Sequence, residues 1–414
     1  MKYSFLLLFA LVFSITSCMD EKPKDDQIVA NLRTLQDYEK DLAASSSAFT
    51  IDLYHQLSKG DNPNLFFSPY SIQQALSMTM NGNKGEVLQE YLTLLNFENT
   101  SLEDANLANQ QLTQFLKEVD PKVRLSIANG IWYKKSLSVK AAFQQTMQNQ
   151  YLAALSQLDM NDPNSANVIN EWIEDQTENL IKDMIDKVNA DAVMYLVNAI
   201  YFKGDWKYQF DAKKTEKEPF YINASQTALV DMMNLDQPGG FNTFKDDNLT
   251  YIEVPYSTGQ YSMGIILPDN FNLAEIEGQL TLSQLSHYRE NVTERNVILK
   301  MPKFKMQQKI KNMKDDLKAM GLVTPFEFDE RNFTELFDTP TDLLKISRVI
   351  HDALIEVDEK GTEAAAATVV EIELTSAPSG PTYITIDKPF LFFIQEKHSG
   401  AILFMGKLGD PSLL

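Results

Sequence analysis

The chain has 414 residues, 44% hydrophobic and 23% charged, with 16 Gly and 16 Pro. That composition is globular and excludes disorder over most of the length, because there is enough apolar surface to offset chain entropy. Asp and Glu (57) outnumber Lys and Arg (37), and the net charge of -20 argues against nucleic acid as a partner, since affinity for phosphates comes from cations. The single cysteine allows no internal disulfide. His55, His287, His351 and His398 are scattered, with no CxxC, HExxH or HxxxH spacing, so no metal and no cofactor is expected.

In chain order, Lys2 precedes an apolar run from Phe5 to Phe13, too short to cross a bilayer of about 30 Å as a helix. Ile15-Thr16-Ser17-Cys18 then resembles a bacterial lipobox. The resemblance implies a lipoprotein signal peptide over 1–17, cleavage before Cys18, and a lipid on the Cys18 sulfur that anchors the protein to a membrane. Residues 18–33 are acid-rich and read as a flexible tether. Acids just after the cysteine resemble a surface-export signal of bacterial lipoproteins. The outer membrane is therefore expected, at the cell surface, with its periplasmic face as the alternative.

No Gly/Ser or Pro run divides residues 34–414, and no fixed-period repeat occurs. Residues 31–59 carry apolar side chains at helical spacing. Ser68-Pro69 before Tyr70 predicts a capped helix start. Residues 165–185 predict an amphipathic helix, with Ile169, Trp172, Ile173, Leu180, Ile181, Met184 and Ile185 on one stripe. Residues 196–203 are nearly all apolar, as in a strand buried on both faces. Residues 261–268, 297–304, 390–394 and 401–405 also read as strands. Helices come mostly early and strands mostly late, which points to α+β.

Residues 359–380 are the unusual stretch. Ala364 to Ala367 favour helix, but Gly361, Thr362, Thr368, Val369, Val370 and Ile372 oppose it. Counted by twos, Thr362, Ala364, Ala366, Thr368, Val370, Ile372 and Leu374 share one face. Every Glu from Glu363 to Glu373 lies on the other. That is a strand with one buried and one wet face. Small residues at its start let it slide between two existing strands, and Ser, Pro and Gly after Leu374 are loop residues. The same alternation also fits an ordinary edge strand followed by a loop.

Four collinear blocks carry a family resemblance. Glu359-Lys-Gly-Thr-Glu-Ala-Ala-Ala-Ala-Thr368 resembles the reactive-loop hinge of inhibitory serpins. Asn64 to Leu76, Asn198 to Trp206, and Asp387 to Ile394 with Gly400 to Gly406 resemble three further serpin signatures. The matches span about residues 34–414. They imply one domain with the serpin fold: about three β-sheets, eight to nine helices, and an exposed reactive-centre loop at about 359–383.

The resemblance also implies a mechanism. A protease cleaves the loop, and the loop inserts into the central sheet before the acyl-enzyme hydrolyses, trapping the protease. Glu359, Gly361, Thr362, Glu363, Ala364, Ala365, Ala366, Ala367 and Thr368 would be the hinge, with Gly361 supplying backbone freedom. Ser68, Ser71, Asn198 and His351 match the polar cluster where the sheet opens. Trp206, Lys303 and Glu359 match the top of that sheet, where insertion begins. Counting from the hinge places the cleaved bond at Thr375–Ser376, with Leu374–Thr375 second; counting back from Pro389 moves it three residues on. No Lys or Arg lies between Gly361 and Asp387, so elastase-, subtilisin- or chymotrypsin-like serine proteases are the expected partners, with papain-like cysteine proteases also open. No GxSxG, P-loop or GxGxxG is present, so an enzyme is not expected. A monomer is expected. The competing reading is a non-inhibitory surface binding module on the same fold.

Overall fold

These periodicities close into nine helices and sixteen strands among the residues that the computed structural model describes, 29–338, 343–346, 349–362 and 380–414. The helices are α1 (Asp37–Leu57), α2 (Pro69–Met80), α3 (Gly85–Leu94), α4 (Leu102–Glu118), α5 (Ala141–Gln150), α6 (Ser165–Gln176), α7 (Leu273–Gln279), α8 (Leu282–Glu290) and α9 (Lys314–Ala319). The strands are β1 (Leu65–Phe67), β2 (Arg124–Lys134), β3 (Ala154–Leu158), β4 (Met194–Asp205), β5 (Glu216–Tyr221), β6 (Thr227–Asn234), β7 (Gly239–Lys245), β8 (Leu249–Pro255), β9 (Tyr261–Pro268), β10 (Thr293–Pro302), β11 (Phe304–Ile310), β12 (His351–Val357), β13 (Gly361–Thr362), β14 (Thr382–Thr385), β15 (Phe390–Glu396) and β16 (Ile402–Leu408).

Local chemistry accounts for the boundaries. The Ser68 side chain accepts from the Ser71 N–H at 3.1 Å, and Pro69 fills the first turn of α2. The sequence predicts one helix over 165–185, but α6 ends at Gln176. Glu178 and Asn179 take left-handed backbone (φ 54° and 63°) and reverse the chain. Both amide atoms of Asn170 then bond the Ile185 backbone, at 2.8 and 2.9 Å. Ile181, Met184 and Ile185 are still buried beside Ile169 and Ile173, but as a strap folded back rather than as a helical stripe. The strand predicted at 297–304 is likewise two strands, β10 and β11, divided at Lys303.

Two hydrogen-bonded sheets form among the described residues, where about three are predicted. The larger runs β1-β16-β15-β9-β8-β7-β10-β6-β5, with β14 added on β10. The difference has a simple cause. β10 pairs β7 through residues 293–297 and β6 through residues 300–302, so one long strand welds two sheets together. The interior is aromatic: Phe66 stacks on Phe404 and Phe392 at 5.5 and 5.9 Å, and Tyr251 lies over Phe393 at 6.2 Å. β15 and β16 are buried along their whole length.

The smaller sheet runs β11-β12-β13-β4-β2-β3, over α2. Asn31 and Arg33 bond the backbone of α4, through Glu118 O and Gln111 O. Arg33 also pairs with the fully buried Glu39.

Close packing of β1 on β16 gives a test. A Cβ at Gly406 would lie 2.4 Å from the Leu65 carbonyl oxygen, and backbone there has nowhere to move. Gly406→Ala is expected to destabilise the fold by about 1–3 kcal/mol, read as a lower urea midpoint. An unchanged midpoint would refute this packing.

Candidate functional site

The site is a seam in the smaller sheet. β12 and β4 flank it, and among the described residues no ladder joins them directly. Only β13 lies between. Gly361 pairs with Asp205, and Thr362 pairs with Gly204 on one side and Val357 on the other. Below β13 the seam opens into a cavity of about 860 Å³, lined among others by Ser71, Leu76, Leu196, Asn198, Phe337 and His351.

The geometry adds a steric demand at Gly361, whose backbone is not in the left-handed region. A Cβ there would lie 2.1 Å from the Gly204 carbonyl oxygen and 2.7 Å from Asp205 Cα. Glycine is needed because two strands leave no room for a side chain. Thr362 is buried, and its hydroxyl meets the Tyr256 hydroxyl at 2.8 Å.

The upper end of the seam gathers the other predicted residues. Trp206 stacks on Tyr256 at 4.4 Å, and its indole N–H donates to the Asp358 carbonyl at 2.9 Å. The Trp206 amide donates to Lys360 O and the Phe210 amide to Glu359 O, at 2.7 and 2.9 Å. Lys303 Nζ and Thr215 Oγ1 each reach a Glu359 oxygen at 2.8 Å. Burial alone pushes the Glu359 carboxyl up. The bonds from Lys303, its own N–H and Thr215 outweigh this and hold it below the ordinary carboxylate range. The bond to Glu359 raises the Lys303 ammonium in turn.

Deeper in the seam, the four predicted polar residues form one chain of bonds. His351 Nε2 accepts the Ser68 N–H at 3.0 Å. The Ser68 hydroxyl donates to the Leu403 carbonyl at 2.7 Å and accepts from the Ser71 amide. The Ser71 hydroxyl donates to Asn198 Oδ1. Asn198 Nδ2 donates to Asn129 Oδ1 at 2.6 Å, and Asn129 Nδ2 to the Tyr151 carbonyl at 2.8 Å. His351 must be neutral to accept, and burial pushes it down to about 4.

Sequence reasoning missed Asn129, Thr215 and Tyr256. Asn129 did carry a signal, as an amide inside the apolar run Ile127–Ile131. The two hydroxyls carried none. Cys18, Glu363 to Thr368, and Leu374, Thr375 and Ser376 lie outside the described residues.

Two outcomes follow. Gly361→Ala is expected to unseat β13, freeing the Trp206 amide and speeding its hydrogen exchange about tenfold or more; unchanged protection would refute the close fit. His351 titrates near 6.5 unfolded and near 4 folded. Between these values only the unfolded state holds the proton, so stability is complete above pH 6.5 and is lost as pH falls towards 4. At pH 5 the loss is about 2 kcal/mol. The stability difference between the wild type and His351→Gln should shrink by that amount between pH 7 and 5. A constant difference would mean His351 is not buried neutral.

Known proteins share this architecture. A family model described as "Serpin (serine protease inhibitor)" matches residues 44–411. An uncharacterized serpin-like protein of Methanosarcina acetivorans is 32% identical over 98% of this chain and 97% of its own. The leukocyte elastase inhibitor of Xenopus laevis is 32% identical over 90% of this chain and 100% of its own. The crystal structure of human thyroxine-binding globulin with its hormone aligns at TM-score 0.81 and 28% identity, covering 90% of this chain and 99% of that one. The family match over nearly the whole length, on a fold with this seam, establishes that the chain belongs to the serpin family.

Proposed function

We propose that this serpin is a suicide inhibitor of serine proteases, acting by insertion of its reactive loop between β12 and β4. The observation that carries the reading is β13: Gly361 and Thr362 already sit between those strands, as the first rung of an added strand. Thr362 is buried, as the first member of the small-residue face should be. Residues 364–374 would extend the same alternation downward, into a seam whose two edges, among the described residues, are joined by no ladder of their own.

In this mechanism the protease serine attacks the Thr375 carbonyl. The peptide bond to Ser376 breaks, the amine of Ser376 leaves with a proton, and the acyl-enzyme ester remains on Thr375. Insertion then moves the ester, with its protease, away from the cleavage position before water arrives. Ser68, Ser71, Asn198 and His351 would exchange partners as the seam parts. Thr or Leu at the bond, with no nearby cation, favours elastase-, subtilisin- or chymotrypsin-like targets, and leaves papain-like cysteine proteases as a further class. The similarity to an elastase inhibitor points the same way. The similarity to thyroxine-binding globulin supports the second reading, a serpin that binds rather than traps.

Membrane attachment through a lipid on Cys18 belongs to the same proposal, with the protein a monomer at the outer membrane. No helix among the described residues is long and apolar enough to cross a membrane.

The test uses the protein from Met19 onward, incubated with pancreatic and neutrophil elastase, subtilisin, chymotrypsin, trypsin and papain. An SDS-resistant complex with a non-tryptic protease, and a released peptide beginning at Ser376, is the expected outcome. A peptide beginning elsewhere would move the bond and keep the mechanism. Clean cleavage by every protease, without a complex, would favour the binding module.

A further inference from the structure

The seam ends at the N-terminus of α2, where Ser68 caps the helix. At the other end of α2, capped by Asn81, lies a second cavity of about 440 Å³. Leu102 and Phe143 form apolar walls, Asn81, Asn106 and Gln150 form polar ones, and Lys140 and Glu335 sit at the rim. The Gln150 carboxamide oxygen is buried and has no hydrogen-bond partner. A buried acceptor left unpaired is costly, and a bound donor would relieve it. The rim charges compensate each other: Lys140 and Lys84 both reach Glu335, at 3.3 and 2.6 Å. Glu103 adds an exposed carboxylate at the mouth, which disfavours an anion.

We propose that this cavity is a binding site for a small uncharged aromatic alcohol, and that its occupancy is transmitted to the seam. The ring packs on Phe143 and Leu102, and the hydroxyl donates to Gln150 Oε1. The volume suits a two-ring ligand.

A continuous set of hydrogen bonds connects the two places. Asn81 and Asn106 exchange amide bonds at 2.9 and 2.7 Å. The Tyr151 hydroxyl donates to Asn106 Oδ1 at 2.7 Å, and Tyr151 directly follows Gln150. The Tyr151 carbonyl accepts from Asn129, which holds Asn198, which holds Ser71. A ligand that fixes Gln150 and Asn106 thereby fixes Tyr151, and with it the bonds that must rearrange when β4 moves away from α2. Occupancy opposes that rearrangement. Its consequence for inhibition rests on the loop-insertion reading above; the binding and the coupling do not.

The probe is 2-naphthol, with 2-methoxynaphthalene as a control of similar shape that cannot donate. In calorimetry or ligand-observed NMR on the whole protein, 2-naphthol should bind about tenfold tighter than the ether, the value of one hydrogen bond. Gln150→Leu should abolish that preference. Hydrogen exchange at residues 194–198 of β4 should slow with 2-naphthol in the wild type. In Tyr151→Phe, which removes the bond from the Tyr151 hydroxyl to Asn106, 2-naphthol should still bind and the slowing of exchange should be smaller than in the wild type. No binding, or no preference for the donor, overturns the site. Binding with unchanged exchange at β4 overturns the coupling. Neither measurement uses a protease, so slowed exchange in a chain that traps no protease would leave this proposal standing and remove the inhibitory one. With a trapped protease, 2-naphthol should raise the ratio of cleaved to complexed protein.

Discussion

Two neighbouring strands that do not pair with each other are the constraint on which this structure depends. β12 spans seven residues and β4 twelve, yet among the described residues only Gly361 and Thr362 bridge them. Backbone N–H and C=O groups facing an interior gap have a strong demand for partners. A sheet with such a gap is a template for one more strand, in the same way that an exposed edge is. The difference is that this template lies inside the molecule, and among the described residues β13 alone enters it. The rest of the site surrounds that gap.

The two sheets divide the physical work. In the larger one, Phe66 stacks between Phe392 and Phe404, Phe393 stacks on Tyr251, and Gly264 and Gly406 leave no room to shift. Close-packed apolar surfaces resist displacement because every intermediate position loses contacts on many atoms at once. The seam is built of hydroxyls, amides and one imidazole. Each bond there contributes little by itself and can be exchanged for another as the strands part. A buried polar row is a poor way to maximise stability, but it lets a sheet open one bond at a time. His351 fits this role as a neutral acceptor; charged, it could not accept the Ser68 N–H at all.

What could be read from the sequence was periodicity and caps. The period-two pattern after Thr362, the Ser68-Pro69 start of α2 and the apolar run of β4 depend on neighbours in the chain; the structure agrees with the second and third, and the first lies outside the described residues. The failures share one cause. Apolar spacing over 165–185 is satisfied equally by a helix and by a strap that folds back over it, and only the contact of Asn170 with Ile185 decides between them. The space that Gly361 needs is set by Gly204, far away in the chain, and no local pattern announces it. The two welded sheets depend on where β10 changes partners. Five of the six bonds in the seam's polar chain, Asn129 to Tyr151 included, link residues that no local pattern ties together.

The top of the seam shows which force holds it shut. Lys303 and Glu359 form its one ion pair, and Lys303 is 40% exposed. A pair so open to water is worth at most about 1 kcal/mol and is screened by salt. Around it, Trp206 stacks face to face on Tyr256, three backbone and indole N–H groups bond the 358–360 turn, and Gly361 fits against Gly204 with no space to spare. Trp206, Tyr256 and Glu359 are buried, so packing rather than charge dominates the top of the seam. The ion pair's contribution is directional: together with the Thr215 hydroxyl it fixes the orientation of the Glu359 carboxylate beside β13.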